Sequence, residues 1–155
     1  MNIFLDKHID FLRGLINAQV IFLLVGGYAV HYYGYRRSNG DLELWIKPDN
    51  LNKIKLIAYL TECDFDEQGI AYLNLLNFEE MQAFHFDEEP ERIDFLTHIS
   101  GVKWEEAWPK KMEIDLDGIL IPVIHKNDLI ASKMHSGRAQ DIADIEGLQN
   151  VNPNK

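Results

Sequence analysis

Two acidic residues, Asp41 and Glu43, form the pattern in this sequence that is best suited to metal chemistry. They lie two apart in the segment DLELWI, where the residues between and after them are mainly apolar. Alternate residues of a strand point to opposite faces, so both carboxylates project from one face, while Leu42, Leu44 and Ile46 occupy the other. Carboxylates that point together repel each other, and a divalent cation between them is the usual remedy. The alternative is a solvent-facing strand without a ligand.

A third carboxylate, Asp94, lies in the middle of the apolar segment IDFL. Burying an acid in an apolar strand is costly unless the acid is paired or bound to a metal ion. A salt bridge to Arg36, Arg37 or Arg92 would satisfy Asp94 as well as a metal ion would. The sequence leaves both explanations open.

A glycine pair, Gly26-Gly27, follows the apolar run 20–25 and precedes a predicted helix. Glycines let the backbone approach a ligand closely, and the N–H groups at a helix start attract anions such as a triphosphate. An ordinary turn is the alternative for this motif taken alone. Combined with three carboxylates, the pair predicts a site where two Mg²⁺ ions hold a triphosphate and activate an attacking hydroxyl.

These motifs resemble the pattern of the nucleotidyltransferase superfamily that includes DNA polymerase beta. In this sequence the pattern consists of Val25-Gly26-Gly27, a spacer of residues 28–40, Asp41-Leu42-Glu43, and the later acid Asp94. The chain is more closely similar to small bacterial nucleotidyltransferases that resemble abortive-infection type toxins and lincosamide-modifying enzymes. Four stretches carry this similarity: LLVGGYAVHYYGYRRSNGDLELWIKP, ERIDFLTHISGV with the following WEEAW, IPVIHKNDLIASK, and SGRAQDIADIEGL.

The resemblance implies catalytic roles for the acids and a binding role for the glycines. Asp41 and Glu43 would hold both metal ions, and Asp94 would complete one metal site and act as the base. Backbone N–H groups of Gly26 and Gly27 would contact the triphosphate.

The resemblance also implies roles for basic residues. Arg36 or Arg37 would act as a phosphate clamp, and Lys133 would reach the phosphates from the C-terminal helices. Arg138 and Asp141, in the same late motif, would brace those helices.

Periodicity predicts an α+β fold, a mixed β-sheet with flanking helices, which the resemblance narrows to a minimal nucleotidyltransferase fold. Helices are predicted at about 3–18, 28–33, 51–62, 104–108, 129–135 and 140–148. Strands are predicted at about 20–25, 41–46, 82–86, 92–97, 112–117 and 119–124. Residues 69–78 are ambiguous between helix and irregular loop, and Asn127-Asp128 is predicted to cap the following helix. We expect residues 1–150 to form a single nucleotidyltransferase domain, with 151–155 as a C-terminal tail.

Two further side chains share the faces of the acids. His98 lies on the face of Asp94, and Trp45 lies on the face of Asp41 and Glu43. We expect His98 to be a hydrogen-bonded structural histidine, with approach to the acceptor as the alternative. Trp45 is expected either to pack in the core or to stack on a base or acceptor.

The composition is typical of a folded protein, with 46% hydrophobic residues and one cysteine. Cys63 excludes an internal disulfide, fits a reducing compartment and is expected to be buried. No apolar run reaches the length of a membrane span, so we expect a cytoplasmic protein without a membrane partner. A net charge of −10 without a basic run argues against binding of extended nucleic acids.

We predict a magnesium-dependent nucleotidyltransferase that moves an NMP from an NTP to an acceptor hydroxyl and releases pyrophosphate. The acceptor is left open among a small molecule, a protein side chain and a tRNA end. The alternative is a catalytically weakened protein of the same fold that binds a nucleotide or a partner protein, as in a toxin–antitoxin pair. Glu43 motivates this alternative, because the second acid of the pattern is usually Asp and Mg²⁺ demands near-ideal octahedral geometry.

Overall fold

A six-stranded mixed sheet with helices on both faces forms the scaffold. The computed structural model describes residues 4–35 and 41–151. Within these residues the helices are α1 (Asp6–Asn17), α2 (Gly26–Tyr32), α3 (Asn50–Glu62), α4 (Glu67–Asn74), α5 (Trp104–Ala107), α6 (Lys126–Ser136) and α7 (Ala139–Gln149). The strands are β1 (Phe22–Val25), β2 (Leu42–Ile46), β3 (Ala83–Phe86), β4 (Ile93–Leu96), β5 (Met112–Leu116) and β6 (Ile119–Val123). The predicted α+β class is confirmed, and no helix of the described ranges is long and apolar enough to cross a membrane.

The strand order β3-β4-β2-β1-β6-β5 places β2 near the centre of the sheet. β2 is antiparallel to β1 and parallel to β4, and β6 is parallel to β1. The hairpin partners β3 and β5 lie at the two edges. The parallel pair β2–β4 requires a long crossover, which the chain makes through α3, α4 and β3. This crossover brings residues distant in the sequence onto neighbouring strands.

The predicted alternation of β2 is present in the structure. Leu42, Leu44 and Ile46 are fully buried on one face of the sheet. There α1 packs its Phe11 ring against Phe95 of β4, with 6.1 Å between ring centroids. This apolar layer anchors β2 and β4, and it leaves their other face available for polar side chains.

We call the other face, which carries Asp41, Glu43 and Trp45 of β2, the site face. Trp45 is only 1% exposed, and its Nε1 donates a hydrogen bond to the Thr97 carbonyl at 2.9 Å. Its ring meets Trp104 of α5 edge-on at 5.1 Å. Trp45 therefore packs in the core, and the burial of its ring leaves no surface on which a base could stack.

The ambiguous segment 69–78 contains the last six of the eight residues of α4. Asp66 precedes this helix, and its carboxylate accepts hydrogen bonds from the backbone N–H groups of Gln68 and Gly69, each at 3.3 Å. Such a cap satisfies backbone donors that a helix start would otherwise leave unpaired. The residue that marks the start of this helix, Asp66, therefore precedes the ambiguous segment.

Two local predictions were wrong. α6 begins before Asn127-Asp128, because the His125 ring accepts a hydrogen bond from the Asn127 N–H at 3.0 Å and so caps the helix itself. Cys63 is exposed, because it follows the last turn of α3 and points away from the core.

Asn52 joins the two central strands from the first turn of α3. Its side chain accepts a hydrogen bond from the Ile21 N–H at 2.9 Å and donates to the carbonyls of Ile21 and Lys47 at 2.8 and 3.2 Å. Replacement by alanine would leave these backbone groups without their partner. We expect Asn52→Ala to lower the free energy of unfolding by about 3 kcal/mol, because Asn52 is buried.

Chemical denaturation of purified variants measures this loss. Asn74→Ala, at the exposed end of α4, is the control and should change stability by less than about 0.5 kcal/mol. Equal losses in the two variants would contradict the role assigned to Asn52.

Candidate active site

The strand register places predicted site residues in one row across the sheet. Val25 of β1 is paired with Glu43 of β2, and Glu43 is in turn paired with Asp94 of β4. Directly paired residues point to the same face, so the Glu43 and Asp94 carboxylates both lie on the site face. Asp41 precedes β2 and shares this face because it lies two residues before Glu43.

The glycine turn lies against Glu43. Gly26 is the first residue of α2 and has a φ of +70°, a region that side-chain-bearing residues rarely adopt. A Cβ atom at this position would overlap the carboxylate of Glu43. Gly27, the next residue, is buried in the first turn of α2. Close approach and backbone conformation therefore both require glycine at position 26.

Arg92 holds two of the three acids. Its Nη2 and Nε lie 3.0 and 3.2 Å from Asp94 Oδ1, and its Nε lies 3.5 Å from Asp41 Oδ2. Arg92 and Asp94 are two apart and so share the site face. The salt bridge proposed from the sequence as an explanation of Asp94 is thus present. Arg36 and Arg37 lie outside the described residues.

The acids suit a hard cation by their chemistry, although Arg92 now supplies the positive charge. Asp41, Glu43 and Asp94 offer carboxylate oxygens, which Mg²⁺ prefers. The buried Oδ1 atom of Asp41 has no hydrogen-bond partner among the residues described. Across the same residues, no group of three His, Cys, Asp or Glu side chains is spaced to hold a metal ion. A cation would therefore have to compete with Arg92 for Asp41 and Asp94.

Burial and crowding make the acids harder to ionise. Burial raises the pKa of Glu43, and the charge of Asp94 raises it further, whereas Lys133 and Arg138 act in the opposite direction. Burial also raises the pKa of Asp94, against the hydrogen bond from Arg92. Deprotonated together, these groups would carry repelling charges on one face.

Asp41 has a fourth acid as its neighbour. Burial raises the pKa of Asp41, and a hydrogen bond shared with Glu89 raises it further, while Asp94 and Arg92 act in the opposite direction. Glu89 lies in the turn between β3 and β4, so this turn extends the acidic cluster beyond the strands. Arg92 was one of three arginines predicted as salt-bridge partners of Asp94, whereas Glu89 was not predicted, because only the tertiary structure brings this turn next to Asp41.

A cavity of about 400 Å³ lies beside Glu43. Its walls come from the glycine turn, the end of β4, and the corner between α6 and α7; they include Gly26, Glu43, His98, Lys133, Arg138 and Asp141. Three predicted site residues, Gly26, Glu43 and Lys133, therefore meet in one cavity. Asp41 and Asp94 lie outside its lining, next to Arg92. His98 is hydrogen-bonded through Nδ1 to the Thr97 hydroxyl at 2.9 Å, as expected of a structural histidine.

Gly26→Ala should destabilise the protein more than a matched glycine substitution. Gly118, in the β5–β6 turn, also has a positive φ, of +88°, but has no atom within 4 Å of an added Cβ among the described residues. Gly118→Ala should therefore cost about 1 to 2 kcal/mol for the conformation alone. Gly26→Ala should cost a further 1 to 3 kcal/mol or so, because its Cβ overlaps Glu43. Equal losses in urea denaturation would argue against this close approach.

Glu43→Gln should stabilise the protein at neutral pH and have little effect in acid. With its pKa raised in the folded state, Glu43 binds more protons there than in the unfolded chain. Stability therefore falls as the pH rises from the ordinary glutamate range through the raised pKa. Glutamine keeps the shape without the charge, so the variant should melt at a higher temperature than the parent at pH 7.5. The difference should vanish near pH 4, and a variant less stable at both pH values would contradict the direction of the shift.

The sequence matches no known protein family and no curated protein at a significant level. Among solved structures, the chain is similar to the crystal structure of the lincosamide antibiotic adenylyltransferase LnuA bound to lincomycin. The two have a TM-score of 0.60 and 16% sequence identity, and the match covers 98% of this chain and 100% of that one. At this identity the likeness establishes the fold alone. The chain therefore has a nucleotidyltransferase-like α+β fold.

Proposed function

We propose that this chain is a magnesium-dependent enzyme of the DNA polymerase beta-like superfamily that transfers an NMP from an NTP to an acceptor hydroxyl. The observation that carries the proposal is the row formed by the glycine turn, Glu43 and Asp94, which borders a cavity with Lys133 on its wall. The likeness to a protein named as an adenylyltransferase supports the same reaction class. Both features match what nucleotidyl transfer requires, namely a phosphate seat beside clustered carboxylates.

The acids would hold the metal ions. Asp41, Glu43 and Asp94 are the proposed ligands, with Arg92 displaced from Asp41 and Asp94 when cations bind. Bound Mg²⁺ would offset the negative charge of the triphosphate and of the transition state. Arg92 supports this assignment, because the place between the two aspartates already suits a positive charge.

The chain's own groups would bind the NTP and move the proton. Backbone N–H groups of Gly26 and Gly27 and the Lys133 amine would contact the phosphates, together with Arg36 or Arg37. The acceptor oxygen attacks the α-phosphorus while the bond to pyrophosphate breaks, and pyrophosphate leaves with the electron pair. Asp94 accepts the hydroxyl proton, a role for which its raised pKa suits it.

The acceptor is proposed to carry positive charge near its reacting hydroxyl. The chain carries a net charge of −10, and a protein of negative charge attracts cationic molecules. By its name, the similar protein acts on a lincosamide antibiotic, so small molecules are the first acceptors to test. Protein side chains and tRNA ends remain the other proposed classes.

A second candidate function is nucleotide or partner binding without transfer. It is favoured by the contact of Arg92 with both Asp41 and Asp94, which would keep cations out if it were permanent. Mg²⁺-dependent NTP binding without pyrophosphate release, across all four NTPs and all acceptor classes, would support this candidate and contradict the transferase.

Asp41→Asn should lower NMP transfer by at least about two orders of magnitude, because it removes a proposed metal ligand that acts on the transition state. Transfer is measured with labelled NTPs against lincomycin, other cationic small molecules and cell extract, with identification of the labelled product. Glu113→Gln, on the exposed edge strand β5, removes a carboxylate elsewhere and should leave transfer unchanged. Full transfer by a folded Asp41→Asn variant, checked by circular dichroism, would overturn the metal mechanism.

A further inference from the structure

The corner between α6 and α7 places an arginine on the cavity wall. Gly137 follows the last residue of α6 and has a φ of +69°. Arg138 comes next and directly precedes the first residue of α7. The Arg138 side chain lines the same cavity as Glu43 and is 80% exposed. The positive charge of Arg138 also lowers the pKa of Glu43, against the effect of burial. Arg138 is thus a cation that a ligand in the cavity can reach.

Lys133, on the same wall, is already neutralised by buried carboxylates. Its Nζ lies 2.8 Å from Asp144 Oδ2 and 3.5 Å from Asp141 Oδ1. The Lys133 side chain is only 10% exposed, and that of Asp144 is completely buried. This packing fixes the direction of the amine but leaves it little uncompensated charge. The exposed guanidinium of Arg138 is the more available of the two cations.

Asp141 is hydrogen-bonded to both Lys133 and Arg138. Its carboxylate accepts hydrogen bonds from Arg138 Nε at 2.8 Å, from Lys133, and from the Ser136 hydroxyl. Burial alone would raise the pKa of Asp141, but the hydrogen bonds from Arg138 and Ser136 and the charge of Lys133 outweigh burial and lower it. Asp141 is therefore a stable anion that holds the guanidinium by one edge.

The aspartates hold the hydrogen-bond donors of Lys133 and Arg138 in fixed positions, and they also balance the positive charge of these two residues. Two cations, Lys133 and Arg138, are balanced by two buried aspartates. A guanidinium has five N–H donors, and Asp141 engages the Nε and Nη2 side of it. The remaining donors suit a phosphate, which accepts two parallel hydrogen bonds from an arginine. Preorganised donors lose little entropy when the ligand binds.

We propose that Arg138 binds the phosphate chain of the NTP and the product pyrophosphate, and that Asp141 is the positioning residue that fixes its guanidinium. The proposal rests on the transferase function for the identity of the ligand. It gives Arg138 a direct contact with substrate, in place of the bracing role implied by the family resemblance.

Titration calorimetry with inorganic pyrophosphate and Mg²⁺ tests the contact. Arg138→Gln should weaken pyrophosphate binding by about 10- to 100-fold, the usual effect of removing a charged hydrogen-bond donor. The variant should fold, because the side chain is exposed. Lys110→Gln removes a cation that pairs with Asp128 and does not line the cavity, so it should change affinity less than about twofold. Equal affinities for the parent and Arg138→Gln would overturn the proposal.

Two further variants test the positioning role of Asp141. Arg138→Lys keeps the charge but cannot form the fork with Asp141, so its affinity should fall nearly as far as that of Arg138→Gln. Asp141→Asn should weaken binding in the parent but have a much smaller effect in the Arg138→Gln background, where only its contact with Lys133 remains to be lost. An Arg138→Lys variant with parental affinity, or additive losses in the double variant, would overturn the positioning role.

Failure of this inference is distinguishable from failure of the transferase proposal. Arg138-dependent pyrophosphate binding supports the phosphate contact even where no acceptor is labelled, an outcome that counts against transfer only. Conversely, transfer that requires Asp41 but proceeds with an unchanged KM for NTP in Arg138→Gln would remove the role of Arg138 and leave the transferase intact.

Discussion

Crowded carboxylates on one face of the sheet are the constraint to which the rest of the site responds. Glu43 and Asp94 lie on neighbouring strands and Asp41 precedes the first of these strands. Burial and neighbouring acids disfavour the ionised forms of all three. Positive groups approach them from two sides. Arg92 comes from the residue before β4, whereas Lys133 and Arg138 come from α6 and from the corner between α6 and α7. The acidic row is thus placed between two sources of positive charge.

The apolar side of the same strands stabilises the fold enough to tolerate the buried acids. Leu42, Leu44 and Ile46 are fully buried, and Phe95 packs against α1 through Phe11. Burial of large apolar side chains contributes roughly 1.5 to 3 kcal/mol each, which offsets the unfavourable desolvation of the acids on the opposite face. The division of each strand into an apolar and an acidic side explains how a buried charge cluster coexists with a stable fold.

The elements were predictable where a local pattern decides them. The alternation of β2 and the helical period of α1 follow from residue spacing, and both appear in the structure. The starts of two helices were missed because their capping residues could not be recognised from the sequence. His125 caps α6 through its ring, a rare role for histidine, so the start of the helix was predicted too late. Asp66 caps α4 upstream of the residues that looked ambiguous.

By itself, the sequence determined that Asp41 and Glu43 share a face, because the side-chain period of a strand is two. It also determined that Gly26 follows a buried strand. Only the tertiary structure decided that β4 lies beside β2 and that Arg92 reaches both aspartates, because strand neighbours depend on contacts between distant segments. The same holds for Arg138, whose access to the cavity depends on how α6 and α7 turn back toward the sheet.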